Sequence, residues 1–142
     1  MKIIDIIGGK RPSLSFEVFP PKTSDSFESV SGAAAEIAQL SPSYMSVTYG
    51  AGGGTSDYTV AIAAKLKAMG VTPLAHLTCI SSTRERVHSQ LEQLRANGIE
   101  NILALRGDIP QDGNCPGVYR YASELTREIC DFGGFCVGGA CY

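Results

Sequence analysis

Five short apolar segments recur along this chain at intervals of roughly thirty residues, with a helix-like pattern between each pair. They run over Ser15–Phe19, Tyr44–Gly50, Pro73–Ile80, Asn101–Leu105 and Phe135–Tyr142. Strands that alternate with helices through short loops favour a parallel sheet covered by helices. Two α/β architectures satisfy this repeat: a doubly wound open sheet and part of a (β/α)8 barrel.

Side-chain alternation in the first four segments favours the barrel. One parity is apolar, and its members are Phe16, Val18, Met45, Val47, Ala75, Leu77, Leu103 and Leu105. The other parity holds Ser15, Glu17, Ser46, Thr48, His76, Thr78, Ala104 and Arg106. A doubly wound sheet is covered on both faces, so its strands read as continuous apolar runs. A barrel instead places polar residues at the carboxyl ends of its strands, where its site is built.

A complete barrel has eight strands and about 250 residues. The 142 residues of this chain provide five strands and four helices of that pattern. We therefore predict an incomplete (β/α)8 TIM barrel. Residues 1–142 are expected to be the N-terminal portion of a single barrel domain, with its C-terminal units absent.

Four helices are predicted between the strands from apolar residues at helical spacing. The apolar positions are Phe27, Val30, Ile37 and Leu40 in the first helix, and Tyr58, Ile62, Leu66 and Met69 in the second. They are Val87, Leu91 and Leu94 in the third, and the fourth helix is predicted over Tyr121–Phe132. Asp25 with Glu28, and Ser82 with Glu85, have the spacing of N-terminal caps. Gly70 and Gly98 are expected to end the second and third helices.

Composition excludes several classes of protein. The formal charge is −2, with 44% hydrophobic and 18% charged residues, so the chain lacks the basic surface of a nucleic-acid-binding protein. The start, MKIIDIIGGK, is too short and too soon charged for a signal peptide or a membrane span. We expect a cytoplasmic protein with no nucleic-acid or membrane partner.

Five cysteines without a C-x-x-C pair argue against a disulfide framework and a zinc site. We interpret them as small buried thiols in a reducing cytosol and predict no metal site, the alternative being a metal held by Cys136 and Cys141.

Glu17 is the first candidate for chemistry, since it stands among Phe16, Val18 and Phe19 in a strand that two prolines then end. A buried charge must pair, take up a proton or face a polar cavity. One interpretation is an exposed carboxylate on an edge strand. The other is a general acid that keeps its proton near neutral pH, and its place on the polar parity favours this role.

The segment LALRGDIP places Arg106, Gly107 and Asp108 directly after an apolar strand. Both charged side chains can then point into the mouth of a barrel, and Gly107 permits close backbone approach. His76 alone fits either a satisfied core histidine or a catalyst. The glycine loop GAGGGTS completes neither standard phosphate-binding template and is interpreted as a tight loop, and neither a serine-hydrolase pair nor an H-E-x-x-H motif occurs.

Five motifs occur in the order and near the spacings of one known family. They are SFEVFPPKT, MSVTYGAGG, AHLTCI, NILALRGDIP and YASEL. From about Ser15 to Tyr142, the chain resembles methylenetetrahydrofolate reductase. That resemblance implies a flavoprotein (β/α)8 barrel in which FAD takes electrons from NADH or NADPH. A hydride then passes to 5,10-methylenetetrahydrofolate, giving 5-methyltetrahydrofolate for methionine synthesis.

The resemblance also implies roles for particular residues. Glu17 resembles the general acid that protonates the folate and opens its five-membered ring to an iminium ion. Asp108 resembles the carboxylate beside the flavin and pterin, whose negative charge favours that cation. The positions that match flavin-lining residues are Thr48, Tyr49, Ala51, His76, Arg106, Gly107, Asp108, Tyr121, Ala122 and Tyr142.

The same resemblance implies a homo-oligomer for the full-length enzyme. Two alternatives remain open at this point. One is an inactive truncated remnant of such an enzyme. The other is a flavin-independent TIM-barrel enzyme that acts on a phosphorylated metabolite.

Overall fold

Five parallel strands form one sheet whose order follows the chain. The computed structural model describes residues 1–9, 12–21, 23–49, 56–110, 113 and 115–141. Within them the strands are β1 (Ser15–Val18), β2 (Tyr44–Val47), β3 (Pro73–Thr78), β4 (Asn101–Leu105) and β5 (Cys136–Gly139). Each pairs in parallel with the next, in the order β1-β2-β3-β4-β5. A doubly wound sheet reverses its order at a switch point, whereas a barrel does not. The predicted incomplete (β/α)8 barrel is confirmed.

Helices cover one face of this sheet and enclose the core. They are α2 (Phe27–Ala38), α3 (Ser56–Ala68), α4 (Arg84–Ala96) and α5 (Ala122–Phe132), and a short helix α1 (Ile3–Ile7) precedes β1. Helices α2 to α5 are the connections between successive strands. The core joins buried strand residues such as Met45 and Leu77 to buried helix residues such as Leu66, Leu91 and Ile129. The other sheet face is left for the polar side chains, as in a barrel interior.

The predicted parity of β4 is wrong. The register pairs Ala75 with Ile102 and His76 with Leu103, and partners in parallel strands share a face. Ile102 is therefore on the covered face, where it is 0% exposed, while Leu103 is half-buried on the face of His76. The segment NILAL is apolar at all five positions. Period-two alternation carries no information about facing in such a run.

Several predicted helix ends also differ from the structure. Helix α2 begins at Phe27 after a 3-10 turn over Ser24–Ser26 and has no side-chain cap, so the cap at Asp25 and Glu28 is wrong. Leu40 lies beyond the end of that helix and is exposed. Met69 likewise follows α3 and is exposed.

Helix α4 keeps its predicted core face, because Val87, Leu91 and Leu94 are buried. Its N-cap is Thr83, whose Oγ1 accepts from the backbone N–H of Arg86 at 3.3 Å, and not Ser82 as the spacing predicted. Ser82 and Thr83 are both residues favoured at an N-cap, and only Ser82 has a glutamate three positions later. Sequence alone does not choose between them.

Helix α1 was not predicted, and it is tied to the amino end of the sheet. The backbone N–H of Ile3 donates to Oδ1 of Asn101 at 2.8 Å, and Nδ2 of Asn101 donates to the carbonyl of Met1 at 3.1 Å. Asn101 is itself buried at the start of β4. None of the helices in the described ranges is long and apolar enough to cross a membrane.

The cysteines are free thiols, but only partly as predicted. Cys79 is buried, Cys115 and Cys136 are half-buried, and Cys130 and Cys141 are exposed. The interpretation of all five as buried is therefore wrong for the last two. Burial raises the pKa of the Cys79 thiol to about 11, which keeps it protonated and unreactive at neutral pH. Among the residues that the structure describes, no group of three or more side chains is arranged to hold a metal ion.

Candidate active site

A cavity of about 600 Å³ opens at the carboxyl ends of the strands, next to the start of α5. It is lined by Thr48, Tyr49, His76, Thr78, Ala104, Leu105, Arg106, Gly107, Asp108, Tyr121, Ala122 and Ala140. Eight of the predicted flavin-lining positions are among them. Ala51 and Tyr142 lie outside the described residues. Parallel strands end at one edge of a sheet, which is why residues distant in sequence meet here.

Sequence reasoning did not assign a site role to four of the lining residues. Thr78 was placed on the polar parity, and it follows His76 by two positions on the same face of β3. Leu105 was predicted on the apolar parity, whereas the register places it on the face of Thr78. Ala104 was also placed on the polar parity, through the β4 parity that the register shows to be wrong, and nothing in the sequence marks Ala140 as part of a cavity.

Glu17 lies on the same sheet face as Ser46 and His76. The register pairs Glu17 with Ser46, and Oγ of Ser46 donates to Oε2 of Glu17 at 3.0 Å. Nε2 of His76 lies 3.5 Å from the same oxygen. In the described sheet β1 is an edge strand, and the Glu17 side chain is 44% exposed. The carboxylate is therefore on an edge strand and also in contact with a residue that lines the cavity.

His76 is buried and its Nε2 makes no hydrogen bond in the described part of the chain. Burial lowers the pKa of His76, and the negative charge of Glu17 offsets part of that shift. The imidazole is therefore neutral at pH 7. A buried polar atom without a partner costs about 1–3 kcal/mol. Such an atom in a cavity wall is a natural partner for a bound ligand.

The turn after β4 brings Arg106, Gly107 and Asp108 to the cavity. The carbonyl of Arg106 accepts from the backbone N–H groups of Cys79 at 3.2 Å and Ile80 at 2.8 Å, which joins this turn to the end of β3. Gly107 has φ +82°, and a Cβ there would lie 3.0 Å from Cβ of Thr78. As the sequence predicted, only glycine fits this approach. Arg106 and Asp108 are exposed at the mouth.

The start of α5 supplies the opposite rim. The Glu124 carboxylate accepts from the backbone N–H groups of Tyr121 at 2.9 Å and Arg120 at 2.6 Å. These bonds lower the pKa of Glu124, so the carboxylate is charged and holds the backbone of the two residues that precede the helix. They fix Tyr121 and Ala122 at the cavity.

Tyr49 is held from outside the cavity. Its hydroxyl donates to Oε1 of Gln90 at 3.1 Å and accepts from Nε2 at 2.7 Å. Gln90 is a buried residue of α4, and no sequence signal marked it. A buried glutamine amide in a helix is costly unless it is paired, and here the tyrosine is the partner.

A second cavity, of about 640 Å³, lies away from the strand ends between α4 and α5. Its lining residues are Arg84, Glu85, His88, Glu128, Asp131 and Phe132. It is a groove between two helices, and none of the sequence-predicted site residues lines it. The cavity at the strand ends is the candidate active site, because it gathers eight of those residues and carries the unpaired Nε2 of His76, which Glu17 contacts from outside the lining.

This cavity is within the size range of cofactor and ligand sites. Three of its features fit a large cofactor with polar and anionic groups, such as a flavin nucleotide. They are the unpaired Nε2 of His76, the close backbone passage at Gly107 and the cationic side chain of Arg106.

Comparison with known proteins gives one consistent result. The family model described as methylenetetrahydrofolate reductase matches residues 2–142. The 5,10-methylenetetrahydrofolate reductase of Pectobacterium carotovorum subsp. carotovorum is 38% identical over 133 residues, covering 93% of this chain and 44% of that protein. Methylenetetrahydrofolate reductase (NADH) 1 of Zea mays is 41% identical over 147 residues, covering 97% of this chain and 25% of that protein.

The 5,10-methylenetetrahydrofolate reductase of Escherichia coli (strain K12) is 37% identical over 124 residues, covering 84% of this chain and 41% of that protein. The chain thus spans less than half the length of each of these three relatives. The family match extends over nearly all of its own residues. On these grounds the chain belongs to the methylenetetrahydrofolate reductase family.

Proposed function

We propose that this chain forms the amino-terminal part of the catalytic barrel of a reductase that converts 5,10-methylenetetrahydrofolate into 5-methyltetrahydrofolate. The observation that carries the proposal is the position of two carboxylates. Glu17 contacts His76, and His76 and Asp108 line one cavity at the strand ends. The names of the relatives support the same reaction.

FAD is the proposed cofactor, and NADH or NADPH is the proposed electron donor. Bound FAD would supply the hydride that reduces the folate. The residues proposed to hold it are Thr48, Tyr49, Ala51, His76, Arg106, Gly107, Asp108, Tyr121, Ala122 and Tyr142. The size of the cavity and the unpaired Nε2 of His76 support this assignment.

Glu17 is the proposed general acid. The O–H bond of its carboxyl group breaks as an N–H bond forms at a nitrogen of the folate's five-membered ring, and the adjacent ring C–N bond opens to an iminium cation. The negative charge of Asp108 would stabilise that cation. Two carboxyl groups in different surroundings can divide these roles, one giving a proton and the other keeping its charge.

In the full-length protein we expect a homo-oligomer in the cytoplasm with a folate as its substrate. Size-exclusion chromatography with light scattering measures the oligomeric state. A flavin absorbance band in the purified protein distinguishes this proposal from a flavin-free barrel enzyme.

The test of the central proposal is Glu17→Gln in the full-length protein. General acid catalysis typically contributes 10²–10⁴-fold. We expect folate reduction to fall by about that factor, while bound flavin and its reduction by NADH or NADPH persist, because only the folate half-reaction needs the proton. Stopped-flow absorbance of the flavin measures the two half-reactions separately.

Glu36→Gln is the matched control, because Glu36 is exposed on α2 and outside the cavity. It should leave both half-reactions unchanged. If Glu17→Gln reduces methylenetetrahydrofolate within about threefold of the unmodified protein, Glu17 is not the general acid.

A further inference from the structure

Two side chains converge on one oxygen of Glu17. Oγ of Ser46 donates to Oε2 at 3.0 Å, and Nε2 of His76 lies 3.5 Å from Oε2. Within the part of the chain that the structure describes, no hydrogen bond reaches Oε1. The two oxygens of the carboxyl group are therefore in different surroundings, one anchored and one free.

Ser46 is placed for this contact by the sheet itself. It is the register partner of Glu17 across β1 and β2, and it is buried. Neighbouring strands of a sheet lie about 4.7–4.9 Å apart, and the 3.0 Å contact shows that the short hydroxyl side chain reaches the carboxyl group. In the described residues the contact with Glu17 is also the hydroxyl's own means of satisfying its hydrogen bond.

His76 makes a weaker contact with the carboxyl group. A separation of 3.5 Å is beyond the usual range for a nitrogen–oxygen hydrogen bond. Its imidazole is neutral at pH 7, so it gives no strong charge attraction. Ser46 is consequently the stronger of the two contacts on Oε2.

We propose that Ser46 is the positioning residue of the proton donor, anchoring Oε2 of Glu17 so that Oε1 is the oxygen that releases the proton. In the acid form the proton sits on Oε1, and Oε2 accepts from Ser46. When the O–H bond at Oε1 breaks and an N–H bond forms on the folate, the carboxylate keeps the same bond from Ser46. The hydrogen bond from Ser46 to Oε2 thus persists through the proton transfer, and Glu17 does not have to exchange one hydrogen-bond partner for another. This inference rests on the proposed function of Glu17.

The test compares Ser46→Thr with Ser46→Val in the full-length, flavin-loaded protein, with Ser46→Ala as the smallest change. Threonine and valine have the same shape, so only the hydroxyl separates them. We expect the folate half-reaction to slow about tenfold, or ~1.4 kcal/mol, in the valine and alanine variants. The threonine variant should stay within about threefold of the unmodified protein. Flavin reduction by the nicotinamide should change in none of them.

The pH profile gives a readout that a merely structural role would not move. A hydrogen bond to a carboxylate favours its charged form, so its loss favours the acid form. The pH above which the rate of the folate half-reaction declines should be higher in Ser46→Val than in the unmodified protein. In Ser46→Thr it should return to the value of the unmodified protein. In a Glu17→Gln background, Ser46→Ala should have no further effect on rate, because Ser46 acts through Glu17.

The outcomes separate this inference from the proposed function. If Glu17→Gln is inactive toward folate but Ser46→Val keeps the rate and the pH profile, Ser46 has no positioning role. The same conclusion holds if threonine and valine variants lose equal activity, since shape and not the hydroxyl would then matter. If Glu17→Gln itself remains active, the proposed function fails and this inference with it.

Discussion

At the scale of single residues, the neighbours of His76 set its protonation state and thereby part of the charge of the cavity. Burial lowers its pKa more than the nearby Glu17 carboxylate raises it, so the imidazole stays neutral at pH 7. Among the residues described as lining the cavity, positive charge at pH 7 therefore comes from Arg106, and negative charge from Asp108. These two side chains are exposed at the mouth, on either side of Gly107.

Asp108→Asn in the full-length protein tests the charge that this carboxylate brings to the site. A negative charge beside a flavin disfavours its reduced, anionic form. Removing that charge should raise the reduction potential of the bound flavin and slow folate reduction as well. Dye-equilibration titration measures the potential.

Asp131→Asn is the matched control, because Asp131 is an exposed residue of α5 beside the other groove. The same chemical change there should leave the potential unchanged. A potential that falls, or does not move, in Asp108→Asn would count against the placement of Asp108 beside the flavin.

At the scale of elements, the connection from β4 to α5 is anchored by one buried tyrosine. The hydroxyl of Tyr119 donates to Oε2 of Glu128 at 2.7 Å, and Nη1 of Arg84 donates to the same oxygen at 3.1 Å. Nε2 of His88 lies 2.9 Å from Oε1 but is poorly aligned for a hydrogen bond. Burial and the Glu128 carboxylate raise the pKa of Tyr119 above its usual range, so the phenol remains a donor.

Tyr119→Phe should therefore destabilise the fold by about 2 kcal/mol, because a hydrogen bond to a charged group is worth ~1.5–3 kcal/mol. Urea unfolding of the full-length protein measures the free energy. Flavin affinity should fall as well, since Tyr119 precedes Tyr121 at the cavity rim. Tyr44→Phe is the control, a half-buried tyrosine at the start of β2, and should change stability by less than about 0.5 kcal/mol. Equal losses in the two variants would show that the Tyr119 hydroxyl does not anchor the connection.

The buried face of a helix or strand could be predicted from sequence where its apolar pattern is compatible with one face only. The apolar spacing of Val87, Leu91 and Leu94 permits a single helix face, and all three are buried. The strand NILAL permits two parities, so its facing could not be predicted. In the candidate site, motif matches identified residues at the strand ends. They did not identify Gln90 or the anchoring contact of Ser46, because both depend on contacts between elements distant in sequence.

At the scale of the whole molecule, the described sheet has two open edges. In those residues β1 pairs with β2 alone and β5 with β4 alone. Open strand edges offer unpaired backbone groups to other chains. Apolar side chains are also exposed on and near α1, among them Ile4, Ile7 and Leu14. The stability of a domain is only ~5–15 kcal/mol, a small difference between terms of order 10² kcal/mol.

A polypeptide of these 142 residues alone is therefore expected to aggregate, to remain molten, or to pair with another copy, and to bind no FAD. Size-exclusion chromatography with light scattering, thermal unfolding and flavin absorbance measure this. A monodisperse monomer with a cooperative melt and stoichiometric flavin would contradict it. The five βα units would then form a self-sufficient domain.

Sequential strand order has a topological consequence. In a sheet whose order reverses, a cut away from the switch point can leave one piece with a strand between two strands of the other, and reassembly then requires insertion of that strand. Here each strand's neighbours in space are its neighbours in the chain. A cut in any loop between successive βα units therefore divides the sheet into two pieces. The strands of each piece are contiguous, so the two pieces can pair along their edges without threading. In such an architecture, strands can be added, removed or joined from separate pieces at the two edges of the sheet alone.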